Sequence, residues 1–280
     1  MPFEGRPPGE IPARLEMSDA RLGRGTYTDD TQMMIALCES VLERGRVDED
    51  HLARAFLSAY DPRRGYGAGT RQVLRAIASG VEPAEAAAQA MGGRGSFGNG
   101  AAMRIAPVAV RWFDRPAELR SEAERSARVT HTHPLGLDGA RVQAAAIGAA
   151  IRGEEPLAAA QAAASTGELR GRLEDAAAHL EVEPIEVGEL LGNSGAAHES
   201  VPAAIVAAAA HDGFEEAVDF AIRCGGDTDT IGAMAGAIAG AREGASAIPT
   251  RWLEALEDGP KGRSYVEHLA RRLARAALGD

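Results

Sequence analysis

The sequence predicts an all-α protein. Apolar residues recur at helical spacing along most of the chain, and Gly and Pro punctuate the runs. Alternating Val/Ile-rich segments, and the turn dipeptides that join hairpin strands, are missing almost everywhere. Aromatic residues make up only 4% of the chain, so the core must be assembled from Ala, Leu, Ile and Val, whose many small members let helices approach closely. The expected architecture is a single domain over residues 1–280, an orthogonal bundle of about 12–15 helices.

Residues 1–26 are rich in Gly, Pro and Arg and read as an extended lead-in. Helices are predicted over residues 31–44, 48–59, 70–79, 83–91, 100–112, 116–129 and 137–151. Further helices are predicted over 156–165, 168–180, 202–210, 214–223, 230–242 and 263–277. The first places Met34, Leu37, Cys38, Val41 and Leu42 on one stripe, the spacing of a half-buried helix. Residues 206–210 and 231–241 are apolar or small on every face, which marks helices in the middle of the bundle. No repeat or low-complexity linker divides the chain.

Lys and Arg total 30 against 41 Asp and Glu, a net charge of −11. That balance argues against a nucleic-acid or anionic-membrane partner, because phosphate surfaces need a basic stripe. Nearly all the positive charge is Arg; the only Lys is Lys261. The two cysteines, Cys38 and Cys224, stand alone in apolar stretches and form neither a disulfide framework nor a zinc pattern, which fits a cytoplasmic protein. The first residues lack the apolar centre of a signal peptide, and no apolar run has the length of a membrane helix.

Two acidic clusters stand where a loop becomes a helix: Thr28-Asp29-Asp30-Thr31 and Asp227-Thr228-Asp229-Thr230, the second preceded by Gly225-Gly226. Either alone reads well as an N-cap, since carboxylates and hydroxyls offset the orphan N–H groups and dipole of a helix start. One cap needs one side chain, however, and each cluster spends two carboxylates and two hydroxyls. Brought together, four carboxylates would repel strongly unless cations intervened. Oxygen ligands without His or Cys select Mg²⁺, Mn²⁺ or Ca²⁺ rather than zinc.

The segment Gly92-Gly93-Arg94-Gly95-Ser96-Phe97-Gly98-Asn99-Gly100 contains a literal GxGxxG. The stretch before it is Ala-rich and helical, so a dinucleotide-binding strand–turn–helix is rejected. A plain turn and a phosphate cradle at a helix N-terminus near Ala101 both remain open, and Gly65-Tyr66-Gly67-Ala68-Gly69 poses the same choice. Thr130-His131-Thr132-His133-Pro134 lacks the third ligand a zinc site wants, and a loop-end hydrogen bond is expected for His133. His198 and His211, in Ala-rich surroundings, read as structural. No nucleophile elbow, Walker loop or HExxH occurs.

Taken in order, these segments resemble the ADP-ribosylglycohydrolase family, all-α hydrolases that use two Mg²⁺ ions to remove ADP-ribose from proteins or related acceptors. The resemblance runs from Pro2-Phe3-Glu4 through Tyr27-Thr28-Asp29-Asp30-Thr31, Arg64-Gly65-Tyr66-Gly67-Ala68-Gly69 and Gly95-Ser96-Phe97-Gly98-Asn99-Gly100-Ala101-Ala102-Met103-Arg104. It continues through Thr130-His131, Leu191-Gly192-Asn193, Glu199-Ser200-Val201-Pro202 and Gly225-Gly226-Asp227-Thr228-Asp229-Thr230-Ile231. The Arg-Gly-Tyr-Gly-Ala-Gly and Glu-Ser-Val-Pro segments look most like the branch acting on serine-linked and polymeric ADP-ribose.

The resemblance implies an active site at helix N-termini. Thr28, Asp29 and Asp30 match one half of the metal site; Asp227, Asp229 and Thr230 match the other, with Asp229 bridging two Mg²⁺ ions (Mn²⁺ as the alternative). Glu4, Asp30 and Asp229 are the implied catalytic residues, Glu4 being the flexible-loop glutamate that moves a proton. Gly65, Gly67, Ser96, Phe97, Asn99 and His131 would line the ADP-ribose pocket, with Phe97 stacked on adenine. The implied partner is an ADP-ribosylated protein or small ADP-ribose conjugate, bound by a monomer; a non-catalytic ADP-ribose-binding or structural member of the fold is the competing reading. Met91 stands where the branch has a second aromatic, and Gly195 where it has a bulkier apolar residue. The family's Gly-rich first helix, which precedes the Pro-Phe-Glu-like segment, is absent. Met1 is therefore expected to be an internal methionine, and Glu4, so near a free end, is expected to fray.

Overall fold

Glycine and proline set where the helices of this chain begin and end. The computed structural model describes residues 2–12, 15–178 and 180–279, so Met1 lies outside the described residues. Among them are α1 (Asp29–Arg44), α2 (Glu49–Ala59), α3 (Ala68–Ala78), α4 (Pro83–Gly93), α5 (Ala106–Trp112), α6 (Pro116–Arg128), α7 (Pro134–Arg152) and α8 (Pro156–Ala163). They are followed by α9 (Gly167–Ala178), α10 (Pro184–Leu191), α11 (Ala197–Ala209), α12 (Phe214–Arg223), α13 (Thr228–Glu243), α14 (Thr250–Ala255) and α15 (Arg263–Leu278). No strand occurs among the described residues, only an isolated bridge between Gly98 and Ala196. The chain is all-α, as its periodicity predicts. No described helix is long and apolar enough to cross a membrane.

Pro opens α4, α6, α7, α8 and α10 within the first two positions, where its missing N–H costs nothing. Gly45 at φ 69° and Gly153 at φ 71° close α1 and α7 in the left-handed conformation that glycine adopts without strain. His133 caps α7, its Nδ1 accepting the Leu135 N–H at 3.2 Å, which is the loop-end hydrogen bond expected of it.

α7, α11 and α13 pack on one another at the centre. Residues 200–208 of α11 are all buried, and so are Ile231, Gly232, Met234, Ala235, Ile238 and Ala239 of α13, matching the all-round apolar pattern. Close approach is built from small residues: a Cβ on Gly139 of α7 would lie 2.7 Å from the Cβ of Ala197 on α11. In α1 the buried set is broader than the expected stripe. Met33, Ile35 and Ala36 are buried beside Leu37, Cys38 and Val41, whereas Met34 and Leu42 are only partly covered.

Three sequence expectations need correction. The helix expected over 100–112 is instead a 3₁₀ turn at Asn99–Ala101, a bend, and α5 from Ala106. Pro107 has no N–H for the carbonyl one turn back and its ring crowds that carbonyl, so a continuous helix restarts there. The helix expected from Pro202 begins at Ala197, with Pro202 inside it. α10 and α14 were not anticipated; both are short and carry few periodic positions.

Asp138 on α7 ties distant elements together. Its fully buried carboxylate accepts the N–H groups of Ser165 and Thr166 at 3.0 and 2.7 Å, both their hydroxyls, and the Arg141 guanidinium at 2.8 Å. Burial alone would raise its pKa; the Thr166 and Arg141 hydrogen bonds overcome that and hold it below the ordinary value. It thus caps α9 from another helix. Asp138→Ala should destabilise the fold by about 2–4 kcal/mol, because it strands two N–H groups and takes from Arg141 one of its two carboxylate partners, Glu124 being the other. Urea unfolding checks this, and a loss under about 1 kcal/mol would contradict the assignment.

Candidate active site

The two acidic clusters meet. Asp29 and Asp30 occupy the first turn of α1, while Asp227 and Asp229 flank the start of α13. Carboxylate oxygens of Glu4, Asp227 and Asp229 lie within 4.8 Å of one another, and the charges of Asp227 and Asp229 act on Asp29 and Asp30.

Neither cluster is spent on capping: Thr28 and Asp227 make no side-chain cap hydrogen bond. The Thr28 hydroxyl donates to Asp30 Oδ2 instead, and Asp227 Oδ2 accepts from Asn99 Nδ2 at 2.7 Å. Asp30 Oδ1 and Asp229 Oδ1 are buried and meet no hydrogen-bonding partner. Burial first, and neighbouring carboxylates after it, push Asp29 up to about 8 and Asp30 to about 7. Burial pushes Asp227 to about 6, the Asn99 hydrogen bond partly opposing it. Glu4 is raised too, by burial and then by Asp229. A buried, all-oxygen donor set with orphaned oxygens and no paired Lys or Arg among the described residues fits hard divalent cations.

Backbone pairing holds these groups in register. Gly5 N–H donates to Gly226 O at 2.7 Å and Gly226 N–H to Arg6 O at 3.0 Å, so the segment carrying Glu4 is pinned to the loop that starts α13. Against the fraying expected of Glu4 stand these two main-chain bonds, made by the residues that follow it. Gly225 and Gly226 take φ of 76° and 66°, and a Cβ on Gly226 would strike Asn193 O at 2.2 Å. The loop carrying Phe97 and Asn99 pairs with the 193–197 segment through Asn99 N–H to Gly195 O at 2.9 Å and Ala197 N–H to Phe97 O at 3.0 Å.

These elements surround a cavity of about 570 Å³. It is lined by Glu4, Asp29, Asp227, Asp229, Thr230, Gly65, Gly67, Ser96, Phe97, Asn99 and His131, all anticipated from sequence. Met91 and Gly195, the two noted departures, line it as well. Met91 sits at φ 55°, the only non-Gly residue with positive φ among the described residues, its N–H held by Gln72 Oε1 at 3.1 Å. Phe97 is 39% exposed on the wall. Thr28 and Asp30 lie behind the cavity surface; Thr28 faces a separate groove beside Pro2, Phe3 and Trp252. No Lys or Arg lines the cavity among the described residues, so an anionic ligand must be met by backbone N–H groups and cations.

Sequence reasoning passed over Thr70, Met103 and Ser194 on the wall, and Arg104 behind it. Arg104 is fully buried and donates to Gly100 O, Ser126 O and the Thr130 hydroxyl, with Phe56 under its guanidinium. Burial lowers it to about 9. Its position in an Ala-Ala-Met-Arg run inside an apolar stretch was the available signal.

A sequence model of the family described as ADP-ribosylglycohydrolase matches residues 1–280. The ADP-ribosylhydrolase ARH3 of Danio rerio is 34% identical over 291 residues, covering 88% of this chain and 76% of that protein. The ADP-ribosylhydrolase ARH3 of Homo sapiens is 33% identical over 297 residues, covering 89% and 78%. A solved structure titled ADP-ribosylglycohydrolase-related protein complex superposes with a TM-score of 0.81 at 34% identity, over 98% of this chain and 91% of that one.

The raised carboxyls make a stability prediction for the protein in chelator. Folded values of about 6 to 8 stand above the ordinary carboxyl value of 3.8, so between these limits the native state binds more protons than the unfolded chain. Stability from this cluster should be fully present below pH 4 and be lost as the pH rises through 6 to 8. Asp30→Asn should flatten that loss and raise the melting midpoint at pH 8. Thermal melts in chelator across this range check it; equal pH slopes for wild type and variant would contradict it.

Proposed function

The chain belongs to the ADP-ribosylglycohydrolase family, on the ARH3-like branch, and from that premise we propose a Mg²⁺-dependent hydrolase that releases ADP-ribose from modified proteins or small conjugates. The bond cleaved is the glycosidic bond at the anomeric carbon of the distal ribose. The observation that carries this reading is the convergence of Asp29, Asp30, Asp227 and Asp229 from two helix starts beside Glu4, at one end of a nucleotide-sized cavity.

In this reading Thr28, Asp29, Asp30, Asp227, Asp229 and Thr230 would hold the ions. When bound, the ions orient the ribose hydroxyls and a water at the reacting carbon. Cleavage there builds oxocarbenium-like charge, which the surrounding carboxylates favour. Glu4 moves the proton, from the attacking water or to the leaving atom. Asp30, buried and absent from the cavity wall, would serve catalysis through the ions it holds.

The pyrophosphate is met by main-chain N–H groups of the Gly95–Gly100 loop and of the start of α3, where Gly67 precedes the first turn. Phe97 offers its ring to adenine. Met91, where the branch carries an aromatic, leaves that stack one-sided. The backbone pinned just after Glu4, at Gly5 and Arg6, favours an enzyme over a binding-only protein, because proton transfer needs a placed group.

Incubating the protein with a serine-ADP-ribosylated peptide, an ADP-ribosylated arginine and a simple phosphoester tests the reading. Free ADP-ribose should appear with Mg²⁺ and not with chelator, and the phosphoester should survive. Glu4→Gln should lower kcat by about 10²–10⁴-fold with ADP-ribose affinity retained, the usual size of a lost general acid or base. Phe97→Ala should weaken ADP-ribose binding by about 1–3 kcal/mol in calorimetry, as loss of a base-stacking ring does. Full turnover by Glu4→Gln would take the proton-transfer role away from Glu4, and no release of ADP-ribose from any of the substrates would return the protein to the binding-only reading.

A further inference from the structure

His131 is 2% exposed, yet its ring lines the cavity. Its Nδ1 lies 2.7 Å from the hydroxyl of Thr130, which is itself fully buried. That hydroxyl oxygen already accepts a hydrogen bond from Arg104 Nη2 at 2.9 Å. A guanidinium only donates. The hydroxyl has no other acceptor among the described residues, so its proton goes to His131 Nδ1; the reverse bond, Nδ1–H to the Thr130 oxygen, would leave that buried proton without a partner. An imidazole nitrogen that accepts carries no proton, so the neutral ring must bear its proton on Nε2. Burial, and after it the Arg104 charge, keep the ring neutral by pushing its pKa down to about 3.

Nε2 meets no hydrogen-bonding partner among the described residues. The wall around it is made of glycine: a Cβ on Gly98 would lie 3.7 Å from Nε2 and one on Gly100 3.4 Å from it. These glycines leave the edge of the ring open to the cavity. Arg104 is itself held by Gly100 O at 3.0 Å, at the end of the glycine loop, and by Ser126 O at 2.8 Å on α6, so the relay ties that loop to the core.

We propose that Arg104 and Thr130 are positioning residues: through an Arg104–Thr130–His131 relay they fix His131 as a neutral Nε2–H donor aimed into the cavity, where it binds an acceptor oxygen or nitrogen of the ligand. The ligand half of this statement rests on the ADP-ribose reading above; the tautomer half does not. Arg104 touches no ligand and acts only through Thr130. The arrangement supplies a directed N–H donor in a cavity wall that carries no cationic side chain, and because the ring stays neutral, that donor survives across the whole physiological pH range.

Imidazole ¹H–¹⁵N spectra of the ligand-free protein separate the two tautomers, with His131 assigned by difference from His131→Asn. The wild type should show the Nε2–H form alone. Thr130→Val, which keeps the shape and removes the hydroxyl, should give a mixture with the Nδ1–H form, and Thr130→Ser should restore the single form. ADP-ribose affinity should fall about tenfold in Thr130→Val and recover in Thr130→Ser, the size of one misdirected hydrogen bond. An Nδ1–H or charged ring in the wild type overturns the relay without any variant having to fold. An unchanged Nε2–H form in a folded Thr130→Val overturns it as well. The predicted tautomer pattern with no ADP-ribose binding in any form would leave the relay standing and count against the ADP-ribose reading instead.

Discussion

Four carboxylates held at two helix starts are the constraint around which this structure is arranged. Like charges at such a distance, and out of water, repel by more than helix dipoles return, and burial raises the pKa values of Asp29, Asp30 and Asp227 together. A fold tolerates this only if its packing overrides local preference. The central helices α7, α11 and α13 provide that packing with fully buried apolar residues, and the acidic positions sit at the rim of that core.

The neighbouring polar groups make sense in relation to that constraint. Asn99 divides its amide between Asp227 Oδ2 and Ser200 Oγ, tying the glycine loop to the second acidic cluster and to α11 at once. Ser200 in turn donates to Ala196 O, and Glu199 accepts the Ser194 hydroxyl, so the 193–197 segment is held where it forms the cavity wall. One face of the cavity is therefore a set of mutually dependent contacts.

Glycine does a different job at each place it lines the site. Gly225 and Gly226 supply positive φ and admit the N-terminal segment, for a Cβ on Gly225 would lie 2.8 Å from Pro8. Gly98 and Gly100 hold ordinary conformations and matter for the space they leave beside His131. Gly136 gives the Ser96 carbonyl room at the start of α7, where a Cβ would come within 2.6 Å of it. In the dinucleotide-like spacing of the loop, Gly93 and Gly95 supply positive φ of 82° and 70° while Gly98 leaves room beside His131, with no strand before them.

Much of this was legible in the sequence because it is local. Helical periodicity, Pro at first turns, Gly after last turns and acidic pairs at helix starts each depend on residues a few positions apart. The wall residues Ser96, Phe97, Asn99 and His131 were reachable too, since their segments carry a family resemblance, whereas the break before α5 hid behind a continuous apolar pattern. That the two acidic clusters share one site was implied by the resemblance and not by their spacing; only tertiary structure decided that Asn99 serves Asp227 and that a buried arginine reaches a cavity histidine through Thr130. These pairings join segments far apart in the chain. Spacing along a sequence says which face of a helix a residue occupies; which helix ends come together is set by the packing of α7, α11 and α13, and that is a property of the whole core.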